Sequence, residues 1–286
     1  MSSILLTGAS GFIGSYFISK YSSKYAIASF SFLRDTLEDL DLNAIDVVVH
    51  LSALVHQMGG ASEGEYERVN VAETLELAKK AKASGAKHFI FMSSVKVYGE
   101  ESSGVYTEQT PLHPQDAYGA SKRKAESELL KLEDESFKVA IIRTPIVYGH
   151  GVKANIKSLV SLVSKVSILP FGGIQNRRSM VYIGNLCHLI ETIIEKSASG
   201  VYLASDETPL STSQLITYIA EALDKKIYLL KIPFFPQLLK LLKPSFYQRL
   251  YGSLELDTHN TNERLNFTNK YSTKEGIKLM IKGEDK

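Results

Sequence analysis

The first fourteen residues constrain the fold more than any other stretch. Ile4-Leu5-Leu6 is a short apolar run that reads as a buried strand. Thr7-Gly8-Ala9-Ser10-Gly11-Phe12-Ile13-Gly14 follows directly, with its glycines spaced G-x-x-G-x-x-G, and opens a helix expected to run to about Tyr21. Glycines let the backbone turn tightly and approach a pyrophosphate, and the helix N-terminus offers that group its unpaired N–H donors. A strand, this turn and a helix, in that order, predict a dinucleotide-binding α/β fold.

The chain continues in the alternation such a fold requires. A second strand is expected from Tyr25 to Ser29. A dinucleotide fold that prefers NAD usually ends this strand with an acid for the ribose hydroxyls. None stands there. Ser29, Ser31 and Arg34 lie near the place, with Asp35 just after. Arg34 suits a 2′-phosphate, so NADP stays open beside NAD, as does an Arg that is simply exposed. The short span to the next strand predicts a reduced or missing crossover helix. Asp46-Val47-Val48-Val49-His50-Leu51 reads as a buried parallel strand, with Ser52-Ala53-Leu54 at its carboxyl end. His56 beyond it is assigned no chemistry, and Gly59-Gly60 marks a flexible segment. From about Tyr66 to Ser84 the pattern is helical, with Tyr66, Val69, Leu75, Ala78 and Ala81 as the apolar stripe. Asn70 lies in this helix, either as a polar neighbour of the core or as a hydrogen-bond partner of backbone near a cofactor.

The next strand, from His88 to Met92, ends in Ser93-Ser94. A polar loop with Pro111 and Pro114 leads to a helix carrying Tyr118-Gly119-Ala120-Ser121-Lys122 and running to about Glu133. Residues four apart lie one turn apart on one helix face, so Tyr118 and Lys122 are neighbours. Val139-Ala140-Ile141-Ile142-Arg143 is a further buried strand. The alternation over residues 1–150 predicts a Rossmann-type, doubly wound parallel sheet. Residues 151–286 are expected to mix returning core elements with a smaller substrate lobe. The expected elements there are a strand from Ser179 to Ile183, a helix from Asn185 to Lys196, a strand at Val201-Tyr202-Leu203 and a helix from Leu215 to Leu223.

Composition narrows the functional classes. The formal net charge is +2, with no basic excess that implies a nucleic-acid partner. A lone cysteine, Cys187, excludes an internal disulfide framework and suits a reducing compartment. No apolar run is long enough to span a bilayer, and a cytoplasmic protein without stable membrane insertion is expected. Ile232 to Leu250 carries three prolines and a Leu/Lys-rich stretch. Such a segment lies on a membrane surface or packs into the substrate lobe; the second reading is adopted.

These motifs together resemble the extended short-chain dehydrogenase/reductases, in their NAD-dependent epimerase/dehydratase branch acting on nucleotide sugars. The resemblance covers nearly the whole chain. It implies Ser94, Tyr118 and Lys122 as the catalytic triad. It implies a cofactor site of Gly8, Gly11, Phe12, Ile13, Gly14, Leu51, Ser52, Ala53 and Asn70, with Tyr118 and Lys122. Asn155, Arg178 and Arg249 would join Ser94 and Tyr118 around the sugar nucleotide, although the pattern about Arg249 departs from the family's. A homodimer through two helices per subunit is also implied. The family's 4,6-dehydratases place an Asp-Glu pair where this chain has Val95-Lys96, which disfavours dehydration. What remains is hydride transfer at C4 of a nucleotide sugar, UDP being the expected carrier, in surface-polysaccharide sugar synthesis. The reaction is expected to be a 4-epimerisation, with 4-keto reduction as the alternative and a non-catalytic dinucleotide-binding regulator as the alternative of another class. Tyrosine ionises near 10, and an ammonium about 4 Å away supplies roughly 4 kcal/mol at an effective dielectric of about 20. Lys122 is therefore expected to bring Tyr118 into the working range of a base.

Overall fold

The computed structural model describes residues 2–55, 61–100 and 104–284. His56, Gly59 and Gly60 lie outside the described residues. The chain runs β1 (Ser3–Thr7), α1 (Phe12–Tyr21), β2 (Ala26–Phe30) and β3 (Val47–His50). No helix separates β2 from β3 among the described residues, as the short span requires. A long helix over 63–83 follows, made of α2 (Glu63–Tyr66), a π-helical stretch (Glu67–Ala72) and α3 (Glu73–Ala83). Then come β4 (His88–Ser94), a 3-10 turn (Val95–Val97), β5 (Val105–Tyr106), α4 (Ala117–Leu130) and β6 (Lys138–Thr144).

Six strands form one parallel sheet in the order β10-β6-β4-β3-β1-β2, with β10 (Gly200–Leu203) arriving from the far half of the chain. The order reverses at β1, where β2 lies on one side and β3 begins the other. Ligands of open α/β sheets bind outside the carboxyl ends of the strands at such a reversal. The strands read as continuous apolar runs because both sheet faces are covered. Alternate residues divide cleanly: Ile4, Leu6, Val49, Ile90 and Ile142 join one core. Leu5, Val48, Phe89, Phe91 and Ile141 join the other, against Leu77, Ala81, Ala125 and Leu129 of α3 and α4.

Of the apolar stripe expected between Tyr66 and Ser84, Tyr66, Ala78 and Ala81 are buried; Val69 and Leu75 are only partly buried, and Asn70, Val71, Thr74 and Leu77 also face inward. The π-helical stretch is the physical reason. Its extra residue per turn rotates the following positions away from a regular 3.6 period.

The second half contributes β7 (Ile146–Tyr148), α5 (Ala154–Lys165), β8 (Ile168–Leu169), β9 (Met180–Tyr182) and α6 (Ile183–Lys196) before β10. After it come α7 (Thr212–Ala222), β11 (Tyr228–Leu229), α8 (Phe235–Leu242), α9 (Pro244–Tyr251), β12 (Glu255–Leu256), α10 (His259–Leu265) and α11 (Thr273–Lys282). Asp206 ties β7, β9 and α6 together. Its buried carboxylate accepts from the Tyr148 hydroxyl at 2.5 Å, Asn185 Nδ2 at 2.8 Å and Tyr182 N at 3.0 Å. Helices α8 and α9 pack onto the larger core through Phe235, Leu239 and Leu250. Much of their apolar surface nevertheless stays exposed.

Candidate active site

The glycine turn leaves β1 beside the carboxyl end of β3. A Cβ on Gly14 would lie 2.3 Å from the Gly8 carbonyl oxygen, so the first turn of α1 folds back onto the loop with no room for a side chain. Gly11 caps α1 without a side-chain hydrogen bond, which directs the helix's first N–H donors, including those of Phe12 and Ile13, to an outside acceptor. Ser52 N donates to Thr7 Oγ1 at 3.1 Å and holds the Leu51-Ser52-Ala53 segment against this loop. A tight glycine cradle and an uncapped helix N-terminus fit the diphosphate of a dinucleotide. Arg34 stands on an exposed turn after β2, where the exposed Asp35 carboxylate accepts from Ser31 N at 2.8 Å.

Asn70 is buried in the π-helical stretch. Its side chain brackets Leu54, accepting from Leu54 N at 2.8 Å and donating to Leu54 O at 3.0 Å, and also donates to Ser121 Oγ at 3.0 Å. One amide thereby ties the loop after β3 to the helix that carries Tyr118 and Lys122. Asn70 is thus a buried polar residue of the core that also hydrogen-bonds the backbone of the loop after β3.

Ser94 ends β4, and Tyr118 and Lys122 lie in the first turns of α4. Tyr118 and Ser94 line the same cleft, and Ser94 Oγ accepts from Lys96 N at 3.3 Å. Lys122 Nζ donates to Met92 O at 2.9 Å and lies 4.4 Å from the Phe91 ring centroid. Burial pushes Lys122 down to about 7, with Glu126 pulling the other way. Burial also pushes Tyr118 up to about 12, with the Ser94 hydroxyl acting in the other direction. The expectation that Lys122 alone makes Tyr118 a working base is therefore corrected. The ammonium is itself desolvated and spends its hydrogen bond on a carbonyl, so the loss of water around the phenol prevails.

A cleft of about 600 Å³ opens beside these groups, within the roughly 300–1,000 Å³ usual for small-molecule sites. Ser94, Tyr118, Asn155, Arg178 and Arg249 all line it. Asn155 lies in the first turn of α5, Arg178 just before β9, and Arg249 in α9. Arg178 Nε donates to Gly252 O at 3.0 Å. A second, mostly apolar cavity of about 180 Å³ shares Ile146, Asn155, Arg178 and Arg249, and extends between Leu159, Phe171, Leu215 and Phe246. Residues far apart in sequence thus converge on one surface with two arginines, a phenol and an amide. That arrangement can grip an anionic group and present a hydroxyl to Tyr118.

Sequence reasoning missed several participants. Lys96 lines the cleft and is paired with Glu100 and, at 3.3 Å, with Asp116. The i, i+4 spacing of Lys96 and Glu100 was the available signal. Gly119 was overlooked inside the motif itself: a Cβ there would lie 2.5 Å from the Lys96 carbonyl oxygen. Gln248 and Thr144 also face the cleft, and no local pattern marks either.

Residues 4–203 match the model of the NAD dependent epimerase/dehydratase family. The chain is 40% identical to a UDP-glucose 4-epimerase of Vibrio cholerae, over 96% of this chain and 93% of that protein. It is 29% identical to an N-acetyl-alpha-D-glucosaminyl-diphospho-ditrans,octacis-undecaprenol 4-epimerase of Escherichia coli O157:H7, over 81% of this chain and 75% of the relative. In fold it is similar to the crystal structure of a UDP-glucuronic acid 4-epimerase from Bacillus cereus in complex with NAD. The TM-score is 0.76 at 22% identity, with 99% of this chain and 100% of that chain covered.

Proposed function

The chain belongs to the NAD dependent epimerase/dehydratase family, and from that premise we propose that it inverts C4 of a UDP-sugar by NAD-dependent oxidation and re-reduction. The observation that carries this reading is the single cleft in which Ser94 and Tyr118 meet Asn155, Arg178 and Arg249. Likeness to the Vibrio cholerae 4-epimerase over nearly the full length of both chains supports the choice of reaction.

In this mechanism Tyr118 Oη takes the proton of the sugar 4-hydroxyl, and Ser94 Oγ hydrogen-bonds the same oxygen. NAD, when bound, supplies the acceptor for the C4 hydride and, through its charged nicotinamide, the positive charge that the chain alone does not bring to Tyr118. Loss of the proton and the hydride leaves a ketone at C4. Arg178 and Arg249 hold the diphosphate while the sugar turns its other face, and Tyr118 then returns the proton as C4 regains its hydride. Glycines 8, 11 and 14 with the N–H groups of Phe12 and Ile13 hold the cofactor diphosphate, Asn70 holds the Leu51–Leu54 wall, and Lys122 holds the α4 turn against β4.

A second reading of the carrier has its own support. The Escherichia coli relative is named for a sugar on undecaprenyl diphosphate, and an apolar cavity adjoins both arginines here. The same arginines suit a diphosphate on either carrier. The test of the main reading is to denature the purified protein, identify the released nucleotide and assay UDP-sugars without added cofactor. Co-purified NAD and interconversion of C4 epimers are expected. A protein that turns over only by consuming NADH or NADPH stoichiometrically is a reductase instead.

A further inference from the structure

Residues 225–254 contain Lys225, Lys226, Lys231, Lys240, Lys243 and Arg249 and no acid. The chain as a whole is nearly neutral at +2, so the rest of it is net negative. The same segment holds much of the exposed apolar surface. Phe234 is 79% exposed, Leu241 80% and Leu242 67%, with Leu238 and Phe246 also open to solvent. Helix α8 has no buried residue, although Phe235 and Leu239 rest on the core and Phe235 meets Phe171 at 6.4 Å. The helix is amphipathic, with Gln237 and Lys240 on its polar side, but its apolar arc is wider than the strip that touches the protein, so Leu238, Leu241 and Leu242 are left facing solvent. Phe234, at the start of α8, has φ +61, a region costly for a bulky residue.

We propose that α8 and α9 dock on the surface of an anionic lipid bilayer, with Phe234, Leu238, Leu241 and Leu242 entering the headgroup boundary and the lysines meeting lipid phosphates. Charge decides for this occupant. The exposed Lys240 and Lys243 lie beside these apolar side chains in a stretch of sequence free of acids, which matches an anionic interface. A second copy of the same face would set lysine against lysine. The surface is also continuous with the substrate cleft: α9 supplies Phe246 to the apolar cavity and Ser245, Gln248 and Arg249 to the larger cleft. Docking brings the mouth of the site to headgroup level. This goes beyond the proposed reaction and does not depend on it.

The test is co-sedimentation of the full chain with phosphatidylcholine vesicles and with vesicles containing phosphatidylglycerol, at low and high salt. Binding to the anionic vesicles is expected, weakened by salt. It should fall at least about tenfold in the Leu241→Ser, Leu242→Ser double variant, which removes exposed apolar contacts without changing the charge. Circular dichroism and turnover of a soluble UDP-sugar without vesicles establish that the variant is folded and report on the catalytic proposal separately. Three outcomes overturn the docking proposal. One is failure of the wild type to bind anionic vesicles. Another is equal binding by the wild type and the variant. The third is a wild-type dimer that the double variant converts to monomer, which assigns the face to a second copy.

Discussion

Gly119 rests on Lys96 so closely that a Cβ would stand 2.5 Å from the Lys96 carbonyl oxygen. This contact sets the distance between α4 and the turn behind Ser94, and so the meeting of Ser94 with Tyr118. Backbone cannot yield as a flexible side chain can. Gly119→Ala is expected to push α4 outward and reduce kcat by about 10²-fold, since small misplacements of reacting groups cost that much, while the variant still folds. Steady-state kinetics with a circular dichroism control checks this; wild-type kcat would show that the contact does not set the site.

Asn70 makes three hydrogen bonds, two part-buried to the Leu54 backbone and one buried to Ser121. Asn70→Ala leaves the Leu54 N–H and C=O without those partners, at a cost of about 1–3 kcal/mol for a buried unsatisfied group. The loss should appear in chemical denaturation and also as weaker retention of NAD through purification. Asn70→Asp keeps the acceptor for Leu54 N but buries an unpaired charge and sets a carboxylate oxygen against the Leu54 carbonyl, so it should retain the cofactor no better than Asn70→Ala.

Beneath the Ser94 strand, Arg143 and Glu126 form a pair whose side chains are 6% and 3% exposed. Arg143 also donates to Tyr98 Oη at 2.7 Å, and Ser93 donates to Glu126. Removing one member strands a buried charge. Glu126→Ala is predicted to destabilise by about 3–5 kcal/mol, and the paired change Glu126→Leu, Arg143→Met by markedly less. Urea unfolding of the single and double variants measures the difference.

Lys122 gives the stability profile a definite sign. Its folded pKa, about 7, lies below the ordinary lysine value of 10.5, so between the two the unfolded chain binds the extra proton. Stability must rise with pH across that window, and the cost of burying the ammonium is fully present below about pH 7. Lys122→Met removes this term. From pH 7 to 10, wild-type stability should rise relative to the variant by on the order of 3 kcal/mol. Parallel pH profiles would contradict the burial of a titrating ammonium. His50 adds a separate acid limb. Burial and the Lys122 charge push it down to about 3, so its contribution is lost as pH falls from 6.5 through that value.

The sheet was legible from sequence because its strands are buried on both faces and therefore appear as unbroken apolar runs at Leu5, Val48 and Ile141. The Tyr118-to-Lys122 spacing and the Gly14 turn were legible because each is local. The π-helical stretch was not, since its shifted period mimics a regular helix with a few misplaced residues. Long-range convergence was only partly visible. Asn155 and Arg178 were placed by resemblance, whereas Lys96, Gln248 and the Asn70–Ser121 link needed the fold. The electrostatics of Tyr118 were misjudged because sequence spacing gives proximity to Lys122 but not the desolvation of both groups.

The central claim is that one C4 hydride leaves and returns within a single bound state while Tyr118 moves the proton. The most direct measurement uses UDP-glucose and UDP-N-acetylglucosamine carrying deuterium at C4, with no added NAD(H), for the wild type and Tyr118→Phe. The account predicts that at least one is converted to its C4 epimer with the deuterium retained at C4. It also predicts that turnover by Tyr118→Phe falls by about 10²–10⁴-fold. Epimer that has lost its deuterium to solvent, or undiminished turnover by Tyr118→Phe, would contradict it.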